Sequence, residues 1–310
     1  MAYEERCFFL DSHNEPGRLI FIENLTTIFV NIVCSVIATT GNGIILVTFL
    51  KASHLRSPCH LLLVCLTFAD FLTGFIVQPL YAAYKITHLL EQNSLSCFFR
   101  IIMETVCWFS GAVSCSMFVA VTQERYFALH FHLRHPEVIT KKRVMAFVVF
   151  LLVFSGSFTV SRFGMEDSKP FLVVTVVSLF SSTLVLLISD WKIYSLVRRH
   201  HRQIQGQNAI QAQQNTPDLI SLRKSAFRMA AVASLYMIAY LPFTCVLVAY
   251  LWHNFTVNIE VAYDITRTIA FMTASWNPFL YCWKMADVRE AVKRTFKRQA
   301  MITVAEMPEA

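Results

Sequence analysis

Charged side chains are scarce in this chain of 310 residues: Asp, Glu, Lys and Arg make up 15 %, where a soluble protein carries about 25 %. Residues of the AVILMFWYC set reach 55 %, Phe alone occurs 27 times, and mean hydropathy is +0.51. A water-soluble fold of this size could not hide so much apolar surface, so lipid must be the solvent. No nucleic-acid-binding module is visible. The basic residues behind the net charge of +7 lie in short clusters between apolar runs, so nucleic acid is not expected as a partner. Met1 to Leu10 carries Glu4 and Glu5 and no long apolar stretch. It is not a cleavable signal peptide, and the first apolar run is expected to act as the targeting signal. The cysteines form no CxxC pair and show no metal spacing; most sit inside apolar runs as small hydrophobes. No cofactor is expected from them.

What is present is a series of apolar runs long enough to span a bilayer, which takes about 20 residues. The first, Asn24 to Leu50, is free of charge. The second, about Ser57 to Tyr84, contains only Asp70, and the third, Ile101 to Gln123, only Glu104. The fourth spans Val144 to Ser161, and the fifth runs from Phe171 to Ser189 and continues through Tyr194. The sixth lies between Met229 and Ile259 and holds Pro242; the seventh, Ile265 to Trp283, holds Arg267 and Pro278. Period-two alternation is missing, which excludes a barrel. The expected fold is an all-α membrane protein: a seven-helix bundle over 27–298, after an extracellular segment 1–26 and before a disordered cytoplasmic tail 299–310. Val288, Val292 and Phe296 recur at spacing four among basic residues, which predicts a short amphipathic helix on the membrane surface.

Lys and Arg cluster in one set of loops, around Lys51, Lys141 to Arg143, Arg198, Arg199, Arg223 and the tail, and are fewer in the other. The basic side is the cytoplasmic one, which puts the amino terminus outside a plasma membrane and the carboxyl terminus inside. Two glycosylation sequons, at Asn24 and Asn254, fall on the outer side.

Strongly polar residues inside spanning helices are costly and mark function. Asn42 sits in Gly41-Asn42-Gly43 of helix one, and Asp70 closes Leu66-Thr67-Phe68-Ala69-Asp70 of helix two. Glu124-Arg125-Tyr126 ends helix three, and Asn277-Pro278-Phe279-Leu280-Tyr281 ends helix seven. In this order, and on these membrane sides, the four motifs resemble the rhodopsin-like family of G-protein-coupled receptors over about Thr27 to Lys297. The resemblance implies a receptor that binds an extracellular ligand and activates a heterotrimeric G protein. It gives Glu124, Arg125, Tyr126, Leu133, Tyr194 and Tyr281 to G-protein coupling and switching. Asp70, Ser114 and Asn277 match an allosteric sodium site, to which Thr273 can add an oxygen. Asn42, Pro242 and Pro278 shape the bundle. The alternative function is a seven-helix transporter or channel, against which stands the lack of an internal repeat or of paired broken helices. An enzyme is not expected, since the histidines lie mostly in loops and no His-Glu-x-x-His is present.

The chain also departs from the family pattern. Arg100 stands where family members carry a cysteine, and the short second outer loop, about Arg162 to Pro170, has none. Cys7 and Cys97 are the two cysteines clearly outside, where oxidation allows a disulfide between them. The switch positions of helix six read Tyr236 and Tyr240, and Leu222 replaces an acidic lock to Arg125. Retinal is excluded because Phe271 takes the place of the Schiff-base lysine. A biogenic amine is not expected, because Cys107 takes the place of the helix-three aspartate. The expected ligand pocket comprises Glu104, Cys107, Trp108, Gly111, Tyr240, Phe243, Thr244, Arg267 and Phe271. Arg267 is the expected polar anchor, with Glu104 or Asp264 as its partner when empty. A peptide, a lipid and a small metabolite all remain open as ligands.

Overall fold

Lipid offers a backbone no hydrogen-bond partners, so a spanning segment must satisfy its N–H and C=O groups internally as a helix. The computed structural model describes residues 18–51, 58–131, 139–165, 167–205, 236–253, 256–284 and 288–295, and all regular structure among them is helical. Helix α1 is Arg18–Lys51. Helix α2 runs from Pro58–Leu72 through one π-helical turn, Thr73–Val77, into Gln78–Leu89. Then come α3 (Asn93–Phe131), α4 (Lys141–Ser161), α5 (Lys169–Gln205), α6 (described over Tyr236–His253) and α7 (Val257–Lys284). A short α8 covers residues 288–295.

Helices α1 to α6 are long and apolar enough to cross a membrane. Helix α7 is less apolar because it carries Glu260, Asp264 and Arg267, yet its 28 residues extend about 42 Å at ~1.5 Å each. That exceeds the ~30 Å of a hydrocarbon core. Burial runs opposite to that of a soluble protein. Phe29, Phe68, Phe75, Phe150 and Phe180 point outward, while Asn31, Asn42, Asp70 and Asn277 are buried between helices.

Local chemistry sets the joints. Pro79 has no N–H to give the carbonyl of Phe75, and the π turn directly before it absorbs the misfit. Gly74 in that turn lies against α1: a Cβ there would come 2.6 Å from Ala38 Cβ and 2.8 Å from Thr39 N. The Ser35 hydroxyl donates to the Gly74 carbonyl at 2.7 Å, closing the same contact. Thr140 caps α4 by accepting from Arg143 N. Helix α1 packs most extensively on α7 and on the Gln78–Leu89 stretch of α2. In α8, Val288 and Ala291 are buried while Arg289, Lys293 and Arg294 are exposed, the amphipathic pattern expected there.

Three expectations need correction. Helix α1 opens at Arg18, inside the segment 1–26 expected to precede the bundle. Asn24, expected at the membrane edge as a glycosylation site, therefore lies within a helix at 1 % exposure, which leaves little room for an oligosaccharide. Helix α2 does not end at Tyr84 but continues to Leu89, which carries Lys85 into the bundle. Asn254, Cys7, Leu133, Leu222 and Phe296 lie outside the described residues. Cys97 is disulfide-bonded.

Candidate functional site

Residues three, four and seven apart share one face of a helix. On α7 that face presents Asp264, Arg267 and Phe271; on α2 it presents Gln78, Tyr81 and Lys85; on α3, Glu104 and Cys107. These faces meet at the end of the bundle where α2 leads into α3. Arg267 donates to Glu104 and, at 2.6 Å, to Asp264. Lys85 donates to the other Asp264 oxygen at 2.5 Å and to Glu23 at 3.1 Å, and Glu23 also accepts from the Thr27 hydroxyl at 2.8 Å. The result is a chain of three carboxylates and two cations that joins α1, α2, α3 and α7. Isolated charges at this depth would be very costly, but pairing and hydrogen bonding make them tolerable. Sequence reasoning found Arg267, Glu104 and Asp264 but missed Lys85 and Glu23.

Arg267 is 2 % exposed and lies between two aromatic faces, its guanidinium carbon 4.4 Å from the Tyr81 ring centre and 4.6 Å from that of Tyr263. It borders two spaces. Above is a polar vestibule that also touches Arg100, Glu104, Arg162, Glu260 and Asp264. Below is a chamber of about 150 Å³ between α3, α4, α5, α6 and α7. Of the expected pocket residues, Cys107, Trp108, Gly111, Tyr240, Phe243, Arg267 and Phe271 line the chamber, and Glu104 lines the vestibule. Thr244 lines neither; its hydroxyl donates to the Tyr240 carbonyl at 2.9 Å, which is a correction. The chamber also draws Ser155 from α4 and Thr175 and Ser182 from α5, which the sequence did not single out. Trp108 meets Phe171 edge to face at 5.3 Å, closing the α5 side.

From the chamber an aromatic stack descends along α6. Tyr240 lies on Tyr236 with ring centres 4.1 Å apart, and Tyr236 lies on Phe118 of α3 at 4.4 Å and 6°. Beside it, Asn277 donates to Asp70 at 2.7 Å, while the buried Ser114 hydroxyl has no hydrogen-bond partner among the described residues. Thr273 donates to the Ala270 carbonyl at 2.6 Å. Asn42 donates to the carbonyls of Ala38 and Ala274, both at 2.9 Å, tying α1 to α7. Pro278 of α7 abuts Gly41, where a Cβ would come within 2.9 Å of it. Pro242 lies within α6.

At the opposite end of α3 Glu124 is buried, Tyr126 faces Lys192 with the ammonium 5.5 Å from its ring, and Gln123 donates to Ser189 of α5 at 2.5 Å. Arg125 belongs to α3, its side chain outside the described residues. Tyr281 is buried, and its hydroxyl has no partner among the described residues; Tyr194 is 49 % exposed. The two tyrosines therefore do not sit alike: Tyr281 is inside the bundle and Tyr194 on its rim.

Seven helices with a charge-lined vestibule and a mostly apolar chamber at one end, and polar residues buried between the helices, describe a multi-pass membrane receptor. The family model described as 7 transmembrane receptor (rhodopsin family) matches residues 41–171 and 163–281, and the chain belongs to that family. Its curated relatives include the histamine H2 receptor of Cavia porcellus, 22 % identical over 297 residues that take in 89 % of this chain and 80 % of that protein. The trace amine-associated receptor 8b of Rattus norvegicus is 21 % identical over 287 residues, 84 % of this chain and 82 % of that one. These are receptors and not enzymes. Identity this low marks the chain as a divergent member.

Proposed function

We propose that the chain binds an extracellular ligand between α3, α5, α6 and α7 and then activates a heterotrimeric G protein at the opposite face. The observation that carries this is the Tyr240–Tyr236–Phe118 stack. A ligand that displaces Tyr240 on the chamber wall must also disturb the α6–α3 contact below it, which gives two distant sites a shared element to bias. The chamber is mostly apolar with a few hydroxyls. Such a space favours a compact, largely apolar ligand, a lipid or a small metabolite, over an extended peptide. The relatives are named for histamine and for trace amines, but Cys107 offers no counter-ion for a free amine at its level.

In this reading Glu124, Arg125, Tyr126, Leu133, Tyr194 and Tyr281 form the G-protein face, with the amino terminus outside the plasma membrane and the carboxyl terminus in the cytoplasm. Asp70, Ser114 and Asn277 hold a sodium ion. The buried Ser114 oxygen, unpartnered among the described residues, is the kind of donor such an ion takes. The test is nucleotide exchange in membranes carrying the parent, Arg125→Ala or Tyr236→Ala at matched surface density, over a ligand screen and several G-protein classes. Both variants should lose exchange that the parent supports. Equal exchange by parent and Arg125→Ala would refute the assigned G-protein face.

A further inference from the structure

The surroundings of Arg267 are those of a binding site for an organic cation. Two tyrosine rings face its guanidinium at 4.4 and 4.6 Å, and two carboxylates, Glu104 and Asp264, accept from it. Aromatic faces combined with carboxylates are what select ammonium and guanidinium heads from water.

The walls of this cage are held by contacts that do not involve Arg267. Lys85 pairs with Asp264 at 2.5 Å and with Glu23 at 3.1 Å, so Asp264 stays in place and neutralised without the arginine. Tyr81 packs edge-on against Phe271 at 6.0 Å, and Tyr263 packs on Phe243 at 5.6 Å. The Tyr263 hydroxyl lies 3.5 Å from Glu104. The occupant, by contrast, fits imperfectly: the buried Nε of Arg267 has no hydrogen-bond partner among the described residues. Arg267 also borders both the vestibule and the chamber, so the space it fills is continuous with both.

We propose that Tyr81, Tyr263, Glu104 and Asp264 form a recognition cage for a guanidinium or alkylammonium head, and that Arg267 is its built-in occupant. The receptor thus carries its own cationic ligand on α7, held against Glu104, which lies one helical turn from Cys107 on the facing helix. A tethered head has an effective concentration of about millimolar or more, so a free cation displaces it poorly. The parent therefore behaves as a receptor whose amine site is already filled. A buried carboxylate such as Glu104 is stabilised by a cation beside it, and this fixes the ligand class the cage accepts once emptied.

The probe is methylguanidinium, added to purified parent, Arg267→Ala and Arg267→Ala/Glu104→Gln, with the unfolding temperature as readout. Arg267→Ala should be stabilised saturably at millimolar probe, and the parent should not respond. The double variant should bind the probe about tenfold or more weakly, the size of one lost charge-assisted hydrogen bond. If Arg267→Ala cannot be purified alone, expression in the presence of the probe should restore it. Failure of both methylguanidinium and methylammonium to restore it overturns the proposal. So does a stable Arg267→Ala that ignores the probe, or a parent that responds as strongly as the variant. The site rests on the ligand chamber proposed above only for its signalling consequence. Probe binding needs no G protein, so a cage that binds in a chain that does not couple would sink the coupling and leave the cage standing.

Discussion

Replacing Lys85 by methionine keeps an unbranched side chain one atom shorter and removes its charge, which isolates most of what the ion pairs contribute. Lys85 is 4 % exposed and faces Asp264 at 2.5 Å and Glu23 at 3.1 Å. Breaking a buried pair costs about 3–5 kcal/mol, because the remaining charge is left desolvated. Neither carboxylate is wholly abandoned here. Asp264 keeps Arg267 at 2.6 Å, and Glu23 keeps the Thr27 hydroxyl at 2.8 Å. The lower end, about 3 kcal/mol, is therefore expected, and at ~1.4 kcal/mol per factor of ten that is a folding equilibrium lowered roughly 150-fold. Glu23→Gln removes the charge that Lys85→Met strands. It should cost stability in the parent and restore part of it in the Lys85→Met background, with a coupling of about 1 kcal/mol or more. The measurement is thermal unfolding of the four purified proteins under one detergent condition, with surface yield as a cellular counterpart. If Lys85→Met were as stable as the parent, or Glu23→Gln had one effect in both backgrounds, the buried chain would not be holding α1, α2 and α7 together.

Gly74→Val should destabilise by about 1–3 kcal/mol, as overpacking does, because even its Cβ would stand 2.6 Å from Ala38 Cβ; lowered surface yield with normal synthesis is the readout. Asp70→Asn should abolish any stabilisation of the parent by sodium over N-methylglucamine. A concentration ten times the dissociation constant would give the parent about 1.4 kcal/mol, and equal response of the two proteins would refute the sodium site. Asn24→Gln should leave electrophoretic mobility unchanged, since Asn24 is 1 % exposed inside α1; a lost glycan band would show that α1 begins later.

The spanning helices were legible because lipid imposes a coarse and unforgiving rule, a long run without charge. Helices α4 and α5 follow it closely, and their expected spans lie within the observed ones. The rule fails where a helix continues past a charge that faces the bundle. Lys85 ended the expected second span, although Gln78, Tyr81 and Lys85 lie at helical spacing and Leu89 follows in the same helix. Asn24 opens the expected first span although the helix is already under way there, because the uncharged run begins only after Glu23. The pocket was legible on α3 and α7, where polar residues interrupt apolar runs. The hydroxyls of Ser155, Thr175 and Ser182 were not, since serine and threonine occur all along α4 and α5 and only packing tells which face the chamber. Thr244 shows the converse: a hydroxyl in α6 that bonds to its own helix gives no outward sign of being spent.

The inward turn of Lys85 and Arg267 also bears on how the chain inserts. Orientation follows the Lys and Arg that stay in short loops near the helix ends, not the charge of a whole segment. Lys85 and Arg267 are both buried, each between two carboxylates, Asp264 and Glu23 for the lysine and Glu104 and Asp264 for the arginine. Neither counts as a loop charge in the folded bundle, so the basic asymmetry between the two sides is steeper than a count along the sequence suggests. During insertion these partners are not yet assembled, because Glu23 precedes Lys85, whereas Asp264 and Arg267 come from the last spanning helix. Until α7 arrives, Lys85 has at most Glu23 to neutralise it, and α2 bears a charge that its final packing has not yet compensated. Completion of the bundle therefore depends on α7 supplying Asp264. Truncation before α7 should leave α2 poorly retained in the membrane, and Lys85→Met should relieve that defect in the truncated chain even though it weakens the full one. Glycosylation tags placed after α2 in the two truncated chains would measure it; equal insertion of both would show that α2 needs no partner for its lysine.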